Sequence, residues 1–280
     1  MKNLLNRISG KKLCAKDNIF QPFPFQGGFE KKKILEDGTR VVLTKERKLQ
    51  IITMLCELEK LFDCSGLSWI VDGGLSVSIL LGDFIGEHRD LDLAVEEFQL
   101  EKLQEWIERK GYGLFVTLGV QSRETMFMKR VNWKEFSTAD TYLFWIIAVD
   151  ENGLIQKDKS LSFINVHIIR RNELGNPLSW GKKVLPAHWF YSEVVEFQGS
   201  VLNVASPLKT AYYKLRSMRN YDLTDLRHML EAGLIPCADI EEIESVLNAE
   251  GENKHPEDYY RARKNFIIEM KEWITNQKGS

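Results

Sequence analysis

Asp90 and Asp92 stand two residues apart in His88-Arg89-Asp90-Leu91-Asp92-Leu93-Ala94-Val95, where apolar residues alternate with polar ones. That alternation suits a half-buried strand, and in a strand residues two apart share a face. The two carboxylates would then project together while Leu91 and Leu93 face a core. Adjacent carboxylates repel each other unless a cation lies between them. Mg²⁺ (or Mn²⁺) fits, because such an ion takes one or two carboxylates and completes its shell with phosphate oxygens and water. Upstream runs Asp72-Gly73-Gly74-Leu75-Ser76. Gly73 and Gly74 let a backbone approach a phosphate closely, and a helix opening behind them aims free N–H groups at an anion. Ser76 adds a hydroxyl. Alone, each signal is weak: a D-x-D triplet arises about once by chance in a chain of this length, and Gly-Gly is most often only a turn. In the order strand, Gly-Gly, helix, loop, D-x-D strand they are far more specific. The chemistry they suit is the holding of a triphosphate beside a divalent metal.

Those residues need a scaffold, and the apolar pattern supplies one. Leu49, Ile52, Leu55, Leu58 and Leu61 recur every third residue and predict a helix from Lys45 to Phe62 with one buried face. A strand is expected from Leu67 to Val71, a short helix from Leu75 to Leu81, the acidic strand from Asp90 to Val95, and a helix from Leu100 to Lys110 closed by Gly111. Strands follow at Leu114 to Leu118, Met126 to Val131, Tyr142 to Val149 and Phe163 to Ile169. Val194 to Phe197 and Val201 to Val204, around Gln198-Gly199-Ser200, read as a hairpin. Ser206 as N-cap with Pro207 at the first helical position opens a helical stretch. Further helices are expected at Asp222 to Leu230, Ile240 to Leu247 and Pro256 to Thr275. The N-terminal part carries turn chemistry with aromatics at Phe20 to Gly28 and a hairpin pattern around Glu36-Asp37-Gly38. Mixed strands and helices followed by helices alone predict an α+β fold. Its expected divisions are an extension at 1–45, an α/β domain at 46–205 and a helical domain at 206–280.

Composition narrows the function classes. The 280 residues are 44% hydrophobic and 28% charged, with a formal net charge of −2, so no bulk field draws the chain to nucleic acid or an anionic membrane. Cys14, Cys56, Cys64 and Cys237 form no CxxC pair and are read as reduced. No run approaches the roughly 20 apolar residues of a membrane span, and no signal-peptide pattern opens the chain. A cytoplasmic location is the expectation.

With these residues in view, the chain resembles the nucleotidyltransferase superfamily of polymerase-β-like fold, and within it the lincosamide and aminoglycoside adenylyltransferases linked to antibiotic resistance. The resemblance rests on Asp72-Gly73-Gly74-Leu75-Ser76, then Leu81-Gly82, then Glu87-His88-Arg89-Asp90-Leu91-Asp92-Leu93. Phe163-Ile164-Asn165-Val166-His167 is similar to the strand that carries a third acid in that family. Ser206-Pro207 with Lys214, Arg219, Asp222, Asp225 and Leu226 is similar to its downstream helices. The resemblance covers roughly residues 48 to 232. It implies a nucleotidyltransferase-like mixed sheet flanked by helices and followed by a helical C-terminal domain.

It also implies transfer of a nucleoside monophosphate from an NTP, expected to be ATP, to a hydroxyl of a small molecule such as an antibiotic. Asp90 and Asp92 would hold the metal. Gly73, Gly74, Ser76, Arg89 and Lys214 would hold the triphosphate, while Asn165 and His167 would stand on the neighbouring strand. Asn165 departs from the pattern, since an amide cannot take a proton. Three explanations stay open: another group acts as base, with His167, Glu173 and Asp150 the candidates in that order; the residue is an inactivating substitution; or the protein binds nucleotide without efficient transfer. A toxin-type enzyme acting on tRNA or protein is the rival reading, and mild acidity disfavours RNA.

Overall fold

The computed structural model describes residues 21–24, 42–86, 88, 91–120, 125–136, 143–156, 159, 161, 163–179, 183–249 and 257–278. Its frame is a mixed sheet. In chain order the strands are β1 (Gln21–Pro24), β2 (Trp69–Asp72), β3 (Asp92–Glu96), β4 (Tyr112–Val120), β5 (Thr125–Arg130), β6 (Leu143–Ala148), β7 (Phe163–Arg171), β8 (Pro177–Ser179), β9 (Lys183–Val184), β10 (Ser192–Phe197) and β11 (Ser200–Ala205). Across the sheet they run β1-β5-β4-β6-β7-β3-β2-β11-β10, with β8 and β9 extending from β7. The pairs β3 with β7 and β11 with β2 are parallel, and the other pairs are antiparallel.

The helices are α1 (Lys45–Phe62), α2 (Gly73–Leu80), α3 (Leu100–Arg109), the single turn α4 (Trp133–Phe136), α5 (Pro207–Ser217), α6 (Asn220–Glu231), α7 (Cys237–Ala249) and α8 (Glu257–Lys278). Helix α1 has the predicted bounds. Of the expected stripe, however, Leu49 is exposed and Ile52 half-buried, because a strict three-residue period drifts around a helix of about 3.6 residues per turn. Its buried face is Ile51, Leu55, Leu58, Leu61 and Phe62. With Leu100, Leu103 and Ile107 of α3, these cover one face of the sheet, where Val71, Leu93, Val95, Ile164 and Val166 are buried. A fully buried side chain such as Leu58 contributes about 1.5–3 kcal/mol, so this face is what fixes the register of β2, β3 and β7. The Gln198-Gly199 turn of the β10–β11 hairpin takes positive φ at both residues, 53° and 86°, as a two-residue hairpin loop requires.

Three expectations shift. The strand expected from Asp90 begins at Asp92; Asp90 and Arg89 lie outside the described residues. The Gly-Gly pair does not precede its helix but forms the first two residues of α2. Within the stretch read as a turn, Gln21–Pro24 is a strand paired antiparallel with β5. It tolerates Pro22 and Pro24 because β1 lies at the sheet edge, where a missing N–H need not break a ladder. Gln21 pins it there, donating from Nε2 to the Gly153 carbonyl at 3.1 Å and accepting from the Ile155 N–H at 2.7 Å. The remaining N-terminal extension, with its predicted hairpin, lies outside the described residues.

Helices α5 to α8 bury their own cluster, with Tyr212, Leu215, Leu226, Met229, Ile240, Ile243, Phe266 and Met270 among its members. Val77 of α2 belongs to that cluster, while Leu75 and Ile79 of the same helix belong to the sheet core. Helix α2 is therefore the wedge shared by both cores. Among the described residues, no helix is long and apolar enough to cross a membrane.

Candidate active site

Register builds the site. Asp72 at the end of β2 pairs with Asp92 at the start of β3, and Asp92 pairs with Asn165 on β7. Directly paired residues share a face, so these three polar side chains form a row on the face opposite α1 and α3. His167, two residues along β7 from Asn165, joins the same face.

Asp72 is the hub of the row. Its carboxylate accepts from Lys209 Nζ at 2.7 Å and from His167 Nδ1 at 2.8 Å. The side chains of Asp72 and Lys209 are 10% and 5% exposed, so this is a buried pair. Burial pushes the Asp72 carboxyl up, but the Lys209 ammonium and the His167 contact outweigh it and hold it far below the usual carboxylate range. Burial pushes the His167 imidazole down, while the bond to Asp72, the Asp72 charge and the Asp92 charge carry it above the ordinary histidine value. The ring is 39% exposed. With Nδ1 held by Asp72, Nε2 is the nitrogen left for a substrate.

Asp92 is placed by a glycine. Gly73 has φ +66°, and a Cβ built on it would lie 1.9 Å from Asp92 Oδ2. Only glycine lets the carboxylate lie against the first turn of α2, where the helix dipole favours negative charge. On its other side Asp92 accepts through Oδ1 from Asn165 Nδ2 at 2.6 Å. Asn165 Oδ1 is buried and has no hydrogen-bond partner among the described residues. Asp72, already matched by two cationic groups, is not a free metal ligand. Asp92, beside glycine backbone, suits an oxygen-seeking cation, with Asp90 as the second carboxylate on sequence grounds. Among the described residues no three His, Cys, Asp or Glu side chains cluster as a ready-made metal cage.

The other expected residues divide. Ser76 is fully buried and donates its hydroxyl to the Gly73 carbonyl at 2.7 Å, so it braces the first turn. Lys214 is buried with its Nζ 2.6 Å from Asp225 and 3.5 Å from Asp222, inside the helical part. Asp222 caps α6, accepting from the Arg219 N–H at 3.1 Å. Asp150 accepts from the Asn152 and Leu154 N–H groups of its own turn, and Glu173 is exposed in the turn after β7. Of the three proposed substitutes for the third acid, His167 is the one brought to the row. His88 shapes the loop, with Nε2 2.7 Å from Ser78 Oγ.

Lys209 and Asp72 are the residues that sequence reasoning passed over. Asp72 stood in the quoted motif but without a role; its partner is 137 residues away. Arg219 also bears on the site. Burial lowers its pKa, but the Asp222 bond and charge, with a contribution from Asp92, raise it overall. The guanidinium from the start of α6 is thus within electrostatic reach of Asp92.

A family model described as aminoglycoside-2''-adenylyltransferase matches residues 54–132. No curated protein matches the chain. Among solved structures, a lincosamide antibiotic adenylyltransferase with lincomycin bound is similar at 18% identity and TM-score 0.39, covering 62% of this chain and 93% of its own. The antibiotic-resistance factor ANT(2'')-Ia in solution is similar at 10% identity and TM-score 0.47, covering 72% and 93%. An antigenic nucleotidyltransferase-like protein from Paracoccidioides brasiliensis is similar at 12% identity and TM-score 0.42, covering 79% and 94%. These are weak likenesses in shape. The family match, in contrast, falls on the segment that carries Asp72, Gly73, Gly74 and Asp92, and there the chain is similar to that family.

Proposed function

We propose that the chain transfers a nucleoside monophosphate from an NTP, with ATP the expected donor, to a hydroxyl of a small polyhydroxylated antibiotic. The observation that carries this reading is the Asp92 carboxylate held against Gly73 at the start of α2, in one row with Asn165 and the Asp72–His167 pair. In the proposed reaction the acceptor oxygen bonds to the α-phosphorus and the bond from that phosphorus to pyrophosphate breaks. The hydroxyl proton passes to His167 Nε2. Asp72 keeps the imidazole oriented and stabilises the imidazolium that results, the role a buried acid plays behind a catalytic histidine. Backbone N–H groups at Gly73 and Gly74 face the triphosphate. Asp92, with Asp90, would hold Mg²⁺ or Mn²⁺. Bound there, the ion offsets charge on the phosphate oxygens and withdraws electron density from the α-phosphorus.

The test is label transfer from α-³²P-ATP to a panel of hydroxylated antibiotics with Mg²⁺. Asp92→Ala is expected to lower the rate at least about 100-fold, and retention of wild-type transfer would sink the proposal. A second reading has one observation in its favour: the Asn165 amide, not an acid, stands on Asp92. Under that reading the protein binds Mg·ATP without releasing pyrophosphate, which calorimetry alongside the labelling assay distinguishes.

A further inference from the structure

Trp145 on β6 is the register partner of Asn165 on β7. The two side chains therefore leave the same face of the sheet, with Asp92 on the far side of Asn165. Both are more than nine-tenths buried, with 7% and 9% of their surface exposed. Each also carries one buried polar atom without a hydrogen-bond partner among the described residues: Trp145 Nε1 and Asn165 Oδ1. The indole N–H can only donate, and the amide oxygen can only accept. Asn165 cannot exchange its ends to escape this, because its NH₂ is spent on Asp92 Oδ1 at 2.6 Å. Leaving a buried donor and a buried acceptor unmet costs about 1–3 kcal/mol each. An unmet donor and an unmet acceptor on paired residues call for a group that does both, and a hydroxyl is such a group.

The surroundings agree. Trp145 stacks on Phe163, with ring centroids 4.9 Å apart and planes at 19°. Phe115, Met128, Ile147 and Val149 bury against it, with Leu143 and Ile155 at the margin. Small-molecule sites are built this way, from apolar and aromatic walls with a few placed polar groups. These walls are apolar and aromatic, with Arg130 beside Phe115 on the neighbouring strand.

We propose that Trp145 and Asn165 form a seat for one hydroxyl of the acceptor, which accepts from Trp145 Nε1–H and donates to Asn165 Oδ1. This rests on the transfer reaction proposed above and assigns Asn165 a place in it: the residue that is not an acid holds Asp92 with one end and the acceptor with the other.

Trp145→Phe tests it, because phenylalanine keeps a stacking ring and deletes only the donor. Initial rates with lincomycin and with tobramycin are compared at saturating ATP, then with ATP varied. The expected result is an acceptor KM raised about tenfold with the ATP KM unchanged. An unchanged acceptor KM, or both KM values rising together, overturns the seat. If the wild-type enzyme labels neither compound, the reaction proposed above fails on its own, and the seat is read without turnover. The indole N–H resonance of Trp145, assigned by its loss in Trp145→Phe, is followed in ¹⁵N-labelled protein during titration with each compound. A saturable shift of that resonance supports the seat. No shift with either compound means that the pair holds water only, and the seat is overturned.

Discussion

At the residue scale the site turns on how two cationic groups share one carboxylate. Lys209 and His167 both bond to Asp72, so Asp72 stays ionised across the working pH range and the imidazole is stabilised in its charged form. The linkage has a definite sign. His167 has its folded pKa raised; its pairing with Asp72 stabilises the fold fully below the ordinary histidine value of about 6.5, and that contribution is lost as pH rises through the folded value. The role proposed for Nε2 has the opposite dependence, because only the neutral ring takes a proton. As pH rises from the ordinary histidine value through the raised folded one, then, the label-transfer rate is expected to climb while the denaturant midpoint of unfolding declines. Both should turn at one pH above that of an ordinary histidine, and His167→Gln should flatten both curves. A transfer rate that ignores pH in the wild type would remove His167 from the reaction. Asn165 fits the same electrostatics. Its amide donates to Asp92, whereas a second carboxylate at that distance would repel it unless a cation intervened.

At the scale of elements the decisive piece is α2, eight residues long and opened by two glycines. Gly73 adopts φ +66° and sits where any Cβ would strike Asp92. Gly73→Ala is expected to cost about 1–3 kcal/mol of stability and to lower transfer about 100-fold by displacing Asp92. Gly82→Ala is the control: its φ is also positive, +72°, but the space around it is open, so the strain should appear without the loss of transfer. Equal effects on transfer would refute the placement of Asp92 by Gly73. The elements with a strong apolar period were legible in the sequence, α1 and the strands β6 and β7 above all. The edge strand β1 was not, because Pro22 and Pro24 signal a turn and only pairing with β5 makes that segment a strand. Nor were β8 and β9, which are too short for a period.

For the whole molecule, the Lys209–Asp72 pair joins the helical part to the sheet. Lys209 lies in the first turn of α5, whose N-cap Ser206 accepts from the Lys209 N–H at 3.2 Å, and its ammonium lies 5.9 Å from the ring centroids of Phe190 and Tyr213. Removing one partner of a buried pair costs about 3–5 kcal/mol, much of it from the charge left behind. Lys209→Met should therefore destabilise by roughly 3 kcal/mol. Adding Asp72→Asn should cost less than the sum of the single effects, because the stranded charge disappears. Additive losses in denaturant unfolding would show that the two residues do not act as a pair.

What the sequence determined by itself were the local features: the helix period of α1, the glycines before the acidic strand, the alternation that sends Asp92 and Asn165 away from Leu93 and Val166, and the Ser206-Pro207 helix start. Each follows from residues within a few positions of one another, where backbone geometry alone links spacing to direction. The tertiary structure decided the charge relations. Asp72 finds His167 at a separation of 95 residues and Lys209 at 137; Asn165 meets Asp92 across 73. Strand order and helix packing set those meetings, and no local spacing encodes them. The same physics moved Lys214 into an ion pair with Asp225 and brought Lys209, which carried no motif, to the centre of the site.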